Sequence, residues 1–185
     1  MRSLGGVPGI RVRAISRLYV TRPVGVTDQP DFHNAVVSVD ASAGPDPAQG
    51  ALTLLVQLKA LERSFGREVR ERWGPRELDL DLLIFGKARI RVERSPDARS
   101  IDASTDPSEP ATYLEVPHRD ARERLFVLAP LADIARWLVP PGWHETVETA
   151  RARRIIVEGQ DAVLPVATWD QQGERWQPAG GGASS

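Results

Sequence analysis

Two acidic residues separated by a single leucine, Asp79 and Asp81, follow a run of four arginines, Arg67, Arg70, Arg72 and Arg76. The stretch RWGPRELDLDLLIF (72–85) then turns apolar. On an extended chain, residues i and i+2 face the same side. Asp79 and Asp81 therefore share a face, continued by Leu83, while Leu80, Leu82 and Ile84 take the other and can enter a core. Two carboxylates about 6–7 Å apart along one strand face repel each other unless a cation sits between them. Mg²⁺ suits that place, because carboxylate oxygens and substrate phosphates form its usual shell. The guanidinium forks upstream match phosphate oxygens in pairs. Carboxylates for a divalent ion beside an arginine cluster are the components of phosphoryl transfer. The plainer alternative is a solvated strand end with Asp–Arg pairs. Spacing alone leaves a kinase, a nuclease and a sugar-nucleotide enzyme open. There is no G-x-x-x-x-G-K-[ST] phosphate loop and no lysine-based kinase set. Gly5, Gly6 and Gly9 follow no strand and make no dinucleotide fingerprint.

The elements that must position these residues follow from pattern. IRVRAISRLY (10–19) alternates imperfectly and reads as a strand, as does AVVSV (35–39). The Pro- and Gly-bearing TRPVGVTDQPDF between them is a loop. ASAGPDPAQG (41–50) reads as a connector. Leu54, Leu55, Leu58, Leu61 and Phe65 recur at helical spacing over residues 51–65, and Gly66 is a natural stop. Leu78 to Phe85 reads as a third strand. The polar segment 95–112 reads as a flexible insertion. RLFVLAPLADIARW (124–137) predicts a short apolar helix whose start Pro130 limits, and residues 147–154 a further short helix. VLPVATW (163–169) is strand-like, and the tail ending PAGGGASS reads as disordered.

Composition sets bounds. The chain has 185 residues, 41% of them hydrophobic and 26% charged, with a net charge of −1. That suits one domain with a real core and gives no overall basic field for nucleic acid or an anionic membrane. Phosphate must be bound by a local arginine cluster. No apolar run is long enough to span a bilayer, and the N-terminus lacks the apolar core of a signal peptide. With no cysteine, disulfides and thiolate chemistry are excluded. The expected location is the cytoplasm.

LERSFGREVRERWGPRELDLDLLIFG (61–86) resembles the signature of the 6-hydroxymethyl-7,8-dihydropterin pyrophosphokinase family. Two further blocks agree in order, SRLYVTRPVGVTDQPDFHNAVV (16–37) and VPHRDARERLFVLAPLADIA (116–135). The resemblance implies an α+β, ferredoxin-like sandwich, a mostly antiparallel sheet with helices packed on it, over residues 1–160, with 161–185 as a largely disordered extension. It implies transfer of pyrophosphate from ATP to the pterin's hydroxymethyl group, releasing AMP, in folate biosynthesis. The implied partners are ATP and the pterin alone, with neither nucleic acid nor membrane, and a monomer is expected.

The resemblance also implies roles. Asp79 and Asp81 would hold two Mg²⁺ ions, and one of the two carboxylates would help the hydroxyl lose its proton. Arg67 and Arg76 match phosphate-handling arginines. Glu62, Arg72, Trp73, His118 and Arg124 would serve ATP. Thr21, Val24, Phe32, Asn34 and Phe126 would form the pterin pocket, with Phe32 and Phe126 as an aromatic sandwich and Asn34 on the heterocycle's amide edge. Each residue alone has a plainer reading: Phe126 as core, Asn34 as a turn residue, His118 as a surface histidine, Glu62 as a solvent-facing helix position.

The chain also departs from the pattern. Family members open with a strand, a Gly-Ser-Asn turn and a helix before the SRLY block, whereas Met1 falls about where that helix would end. A shortened start, a replacement strand from elsewhere in the chain, and a non-catalytic pterin or nucleotide binder are the three resulting expectations. Arg119 stands where the family can place an aromatic residue against the ribose, and Tyr113 replaces the arginine of a common Arg-Leu-x-Val-Pro-His pattern, so altered ATP affinity is expected. A metal-dependent glycosyltransferase using Asp-x-Asp is a further alternative, in which the Phe32, Asn34 and Val-Pro-His blocks have no role.

Overall fold

The computed structural model describes residues 1–21, 31–65, 78–94, 100–101 and 110–179. Its elements are, in order, α1 (Arg2–Gly5), β1 (Arg11–Ile15), β2 (Leu18–Thr21), β3 (Phe32–Asn34), β4 (Val37–Asp40) and α2 (Pro47–Ser64). Then come β5 (Ile90–Glu93), β6 (Ser100–Ile101), β7 (Pro110–Ala111) and β8 (Tyr113–Val116). A 3₁₀ turn (Ala121–Glu123), α3 (Leu125–Ala135), α4 (Val147–Glu158), β9 (Val163–Asp170) and β10 (Arg175–Pro178) complete the chain. Every strand pairing among the described residues is antiparallel. The class is therefore α+β, as the ferredoxin-like expectation requires. No helix among the described residues is long and apolar enough to cross a membrane.

The residues fall into two units, one of Met1–Arg2, Arg11–Asp40 and Ala121–Ser185, the other of Ser3–Ile10 and Ala41–Asp120. In the first, a four-stranded sheet runs β10-β9-β2-β3, and β1 pairs with β4 separately. The single strand expected over residues 10–19 is thus two strands. The break falls at Ser16, whose hydroxyl donates to the Arg17 carbonyl at 2.7 Å and accepts the Val36 N–H at 2.9 Å. A side chain that satisfies the local backbone releases the chain from one ladder before it joins the next. Helix α3 lays Leu125 and Ala129 against Tyr19 of β2 and Val163 of β9, with Phe126 and Ile155 at the margin.

Pro130 lies inside α3 and is fully buried, rather than limiting the helix's start. Its missing N–H costs about 3 kcal/mol in an isolated helix. Burying Leu125, Leu128 and Leu131 on the same helix offsets that, at roughly 1.5–3 kcal/mol for each leucine. The strand-like VLPVATW is β9, and β10 follows it within the stretch expected to be a largely disordered extension. There the register sets Thr21 opposite Val163, and Trp169 meets Trp176 edge-on with ring centroids 5.3 Å apart. Once β2 offers a free edge, β-branched and aromatic residues on VLPVATW have a ladder to join.

In the second unit, α2 begins four residues before the expected Ala51. Asp46 caps it, accepting the Ala48 N–H at 2.9 Å, and Pro47 takes the first helical position. Gly50 is required where α2 passes Ala43, since a Cβ there would collide with the Ala43 backbone. Ala51, Leu54, Leu55 and Leu58 form the buried stripe of α2, which packs on β5. Ile90 opposite Val116, and Val92 opposite Leu114, set the apolar face of the β5–β8 pair. Within the expected insertion, β6 pairs with β7.

Leu78 to Phe85, expected as a third strand, joins no ladder among the described residues. Its alternation is nevertheless visible: Asp79 and Asp81 are exposed, and Leu78, Leu80 and Leu82 are half-buried. The pattern calls for an extended chain with one face inward, but a strand also needs a ladder, and none of the described strands pairs with it.

Candidate active site

The acidic pair sits in the second unit on this extended segment. Asp79 and Asp81 are both exposed, and Leu78, Leu80 and Leu82 around them are half-buried. The backbone between them is gripped from α2. The Leu80 N–H donates to Glu62 Oε1 at 2.6 Å, and the Leu80 carbonyl accepts from Lys59 Nζ at 3.2 Å. Lys59 and Glu62 lie one helical turn apart and pair at 2.7 Å, with 5% and 0% of their side chains exposed. Lys59 Nζ also approaches Asp79 Oδ1 at 3.5 Å. Burial pushes the Glu62 carboxyl above its ordinary range; Lys59 and the Leu80 N–H pull it back, and the neighbouring Asp79 carboxyl raises it further. Glu62 is thus not the solvent-facing helix position that its residue type suggests.

The donor set fits a hard divalent ion. Asp79 and Asp81 offer carboxylate oxygens to solvent, and among the described residues no cluster of three or more His, Asp or Glu can hold a metal alone. Two carboxylates without a full protein cage leave most of a Mg²⁺ shell to phosphate oxygens and water. In the same unit, the His118 N–H donates to the Leu83 carbonyl at 2.8 Å, tying the Val-Pro-His block to the acidic segment. His118 Nδ1 accepts the Asp120 N–H at 3.3 Å, so a neutral ring carries its proton on Nε2 as a donor. Arg67, Arg70, Arg72, Trp73 and Arg76 lie outside the described residues.

The pterin candidates belong to the first unit. Thr21 stands opposite Phe32, and Tyr19 opposite Asn34, across the β2–β3 ladder. Asn34 Nδ2 donates to Thr21 Oγ1 at 3.1 Å. Among the described residues its carboxamide oxygen takes no bond, which leaves an acceptor for a heterocycle edge. Phe32 is 54% exposed on β3, an unusual place for an aromatic ring with no ligand. Phe126 is half-buried on α3, which packs against β3, and the Arg124 guanidinium lies 5.7 Å from its ring centroid. Val24 lies outside the described residues.

One cluster in this unit was not legible beforehand. Arg17 grips both oxygens of Asp133, at 3.0 and 2.7 Å, and the Tyr19 hydroxyl lies 3.0 Å from the same carboxylate. Burial, then the Asp133 charge, pushes the Tyr19 hydroxyl up to about 12. Burial alone would raise Asp133, but the hydrogen bonds from Arg17 prevail and hold it below the usual carboxylate range. This network buttresses β2 from α3, and its members are 114 to 116 positions apart in the chain. Lys59 was also overlooked; the available signal was a cation three residues before Glu62 inside an apolar run.

Residues 1–136 match the family model for 7,8-dihydro-6-hydroxymethylpterin-pyrophosphokinase. The chain belongs to this family. The pyrophosphokinase match runs from α1 to the end of α3 and includes every candidate residue named above; α4, β9 and β10 follow it. Among relatives named 2-amino-4-hydroxy-6-hydroxymethyldihydropteridine pyrophosphokinase, one from Methylorubrum extorquens is 40% identical over 81% of this chain and 78% of its own length. Another, from Pseudomonas aeruginosa, is 39% identical over 75% of this chain and 70% of its own. The mitochondrial "Folate synthesis bifunctional protein" of Arabidopsis thaliana is 37% identical over 88% of this chain but only 28% of its own length.

Proposed function

We propose that this chain transfers pyrophosphate from ATP to 6-hydroxymethyl-7,8-dihydropterin, giving the pterin diphosphate and AMP, as a step of folate biosynthesis. The observation that supports the reading is the acidic pair: Asp79 and Asp81 both exposed inside the family's signature block, with both backbone groups of Leu80 held between them. Asp79 and Asp81 hold Mg²⁺ in this reading, two ions in all. When bound, the metal neutralises triphosphate charge and favours attack at phosphorus. Phe32 and Phe126 stack on the pterin, and the Asn34 oxygen, oriented by Thr21, reads its N–H edge. His118 Nε2–H and Arg124 donate to phosphate oxygens, and Arg67, Arg72, Trp73 and Arg76 complete the ATP side. One of the two aspartates takes the hydroxyl proton. The pterin oxygen forms a bond to the β-phosphorus as the bond from that phosphorus to the α-phosphate's bridging oxygen breaks. AMP departs with that oxygen.

Incubation with Mg²⁺, ATP and the hydroxymethyldihydropterin, followed by chromatography, is expected to yield AMP and pterin diphosphate in equal amounts. Asp81→Ala is expected to abolish both products while the protein stays folded. A folded parent protein that binds the pterin but releases no AMP would overturn the catalytic reading.

A further inference from the structure

The segment carrying Asp79 and Asp81 is extended and half-buried, yet no described strand pairs with it. Backbone N–H and C=O groups withdrawn from water need partners. At Leu80 both partners are side chains, Glu62 for the N–H and Lys59 for the C=O. One turn of α2 thus meets both backbone groups of Leu80. Leu80 lies between the two carboxylates, so gripping both of its backbone groups restrains the peptides on either side. Those peptides decide whether Asp79 and Asp81 face the same way. The alternative, that the ion pair exists for stability alone, has weak physical support. A buried pair commonly contributes no more than well-packed apolar residues of equal volume. Lys59 and Glu62 sit beside Leu55 and Leu58 on the buried stripe of α2, where apolar residues already pack.

We propose that Lys59 and Glu62 are positioning residues that hold the Leu80 backbone and thereby aim Asp79 and Asp81 together at a divalent cation. The inference rests on the metal role given to the two aspartates above. It assigns Glu62 to the acidic segment rather than to the nucleotide.

The test compares three proteins: the parent, Lys59→Met/Glu62→Leu, and Glu62→Gln. Mn²⁺ binding, in the presence of a non-hydrolysable ATP analogue, is read by electron paramagnetic resonance alongside the thermal midpoint. The double variant removes the grip but keeps apolar volume. It is expected to fold and to bind Mn²⁺ at least about tenfold more weakly, the scale of losing a group that orients a metal ligand. Its kcat should fall more than its KM for the pterin rises. Glu62→Gln retains an oxygen for the Leu80 N–H and is expected to bind Mn²⁺ within about threefold of the parent, within the context scatter of one retained hydrogen bond. A double variant that binds Mn²⁺ like the parent overturns the inference. So does a Gln variant that loses binding as fully as the double. If the double variant does not fold, amide exchange in the parent decides: a protected Leu80 N–H supports the grip, and one exchanging as fast as a solvated amide refutes it. A parent that binds no Mn²⁺ is a different outcome, since it overturns the metal reading itself.

Discussion

Asn34 donates its side-chain N–H to Thr21 Oγ1 at 3.1 Å across the β2–β3 ladder, which fixes the amide's donor end and leaves its oxygen as an acceptor. Replacing Asn34 by Ala removes that acceptor and is expected to weaken pterin binding by about 1–3 kcal/mol, the range for leaving a polar group without its partner. Thr21→Val keeps the shape but frees the amide to rotate, so a smaller loss is expected. Isothermal titration with the pterin checks both; equal affinity for the parent and Asn34→Ala would remove Asn34 from the pocket.

The two phenylalanines separate binding from stability. Phe32 is 54% exposed, so Phe32→Ala is expected to move folding stability by no more than about 0.5 kcal/mol while clearly weakening pterin binding. Phe126 packs against the Tyr19, Leu125, Ala129 and Val163 cluster, and its truncation is expected to cost about 1–3 kcal/mol of stability as well as affinity. Urea melts paired with pterin titrations give the comparison. A Phe32→Ala protein that is destabilised but binds normally would reverse the assignment.

Removing divalent metal with EDTA is expected to stop AMP release, and adding excess Mg²⁺ to restore it. Asp79→Asn and Asp81→Asn are each expected to lower kcat by at least about a hundredfold, corresponding to a loss of several kcal/mol of charge stabilisation. Asp81 is exposed, so the thermal midpoint of Asp81→Asn should change little, whereas Asp79→Asn also removes a partner of the buried Lys59. Turnover that persists in EDTA would discard the metal role.

Tyr19 predicts an alkaline limb in stability. Its hydroxyl titrates at about 12 in the folded chain against an ordinary 10, because burial and Asp133 oppose the phenolate. The folded state therefore holds this proton more tightly than the unfolded state. The associated stability is complete below pH 10 and is lost as pH rises toward 12, in all about 2–3 kcal/mol. Tyr19→Phe should flatten that decline in denaturant melts at alkaline pH. Asp133 has the opposite sign: its carboxyl is held low, so its contribution is present above the ordinary carboxylate value and fades as acid protonates it.

Asp46 caps α2, and Asp46→Ala is expected to cost about 1 kcal/mol of stability. Gly50→Ala should be worse than helix propensity alone suggests, because the added methyl meets the Ala43 backbone. Propensity by itself would favour alanine by up to about 1 kcal/mol. Thermal unfolding of the two variants tests whether α2 begins at Pro47; an Asp46→Ala protein as stable as the parent would place the start elsewhere.

Local chemistry made some elements readable and hid others. The leucine spacing of α2 announced the helix, whereas its first turn lay inside a Gly- and Pro-rich stretch that reads as a connector until Asp46 and Pro47 are seen as cap and first position. Alternation announced the extended chain at Leu78 to Phe85 but cannot say whether a partner strand is present. Ser16 divided what pattern alone reads as one strand, through hydrogen bonds to the Arg17 carbonyl and to the distant Val36 N–H. β9 needed the edge of β2 before its strand propensity had any consequence.

From residue order alone came the family and the alternation that sets exposed Asp79 and Asp81 between half-buried leucines. These depend on side-chain type and on the two-residue repeat of an extended backbone, both local properties. Only the tertiary structure assigned Lys59 and Glu62 to Leu80, Asn34 to Thr21, and Asp133 to Arg17 and Tyr19. Those pairings join residues 13 to 116 positions apart. A hydrogen bond over that separation is fixed by how helices and strands pack, and no local spacing rule encodes it.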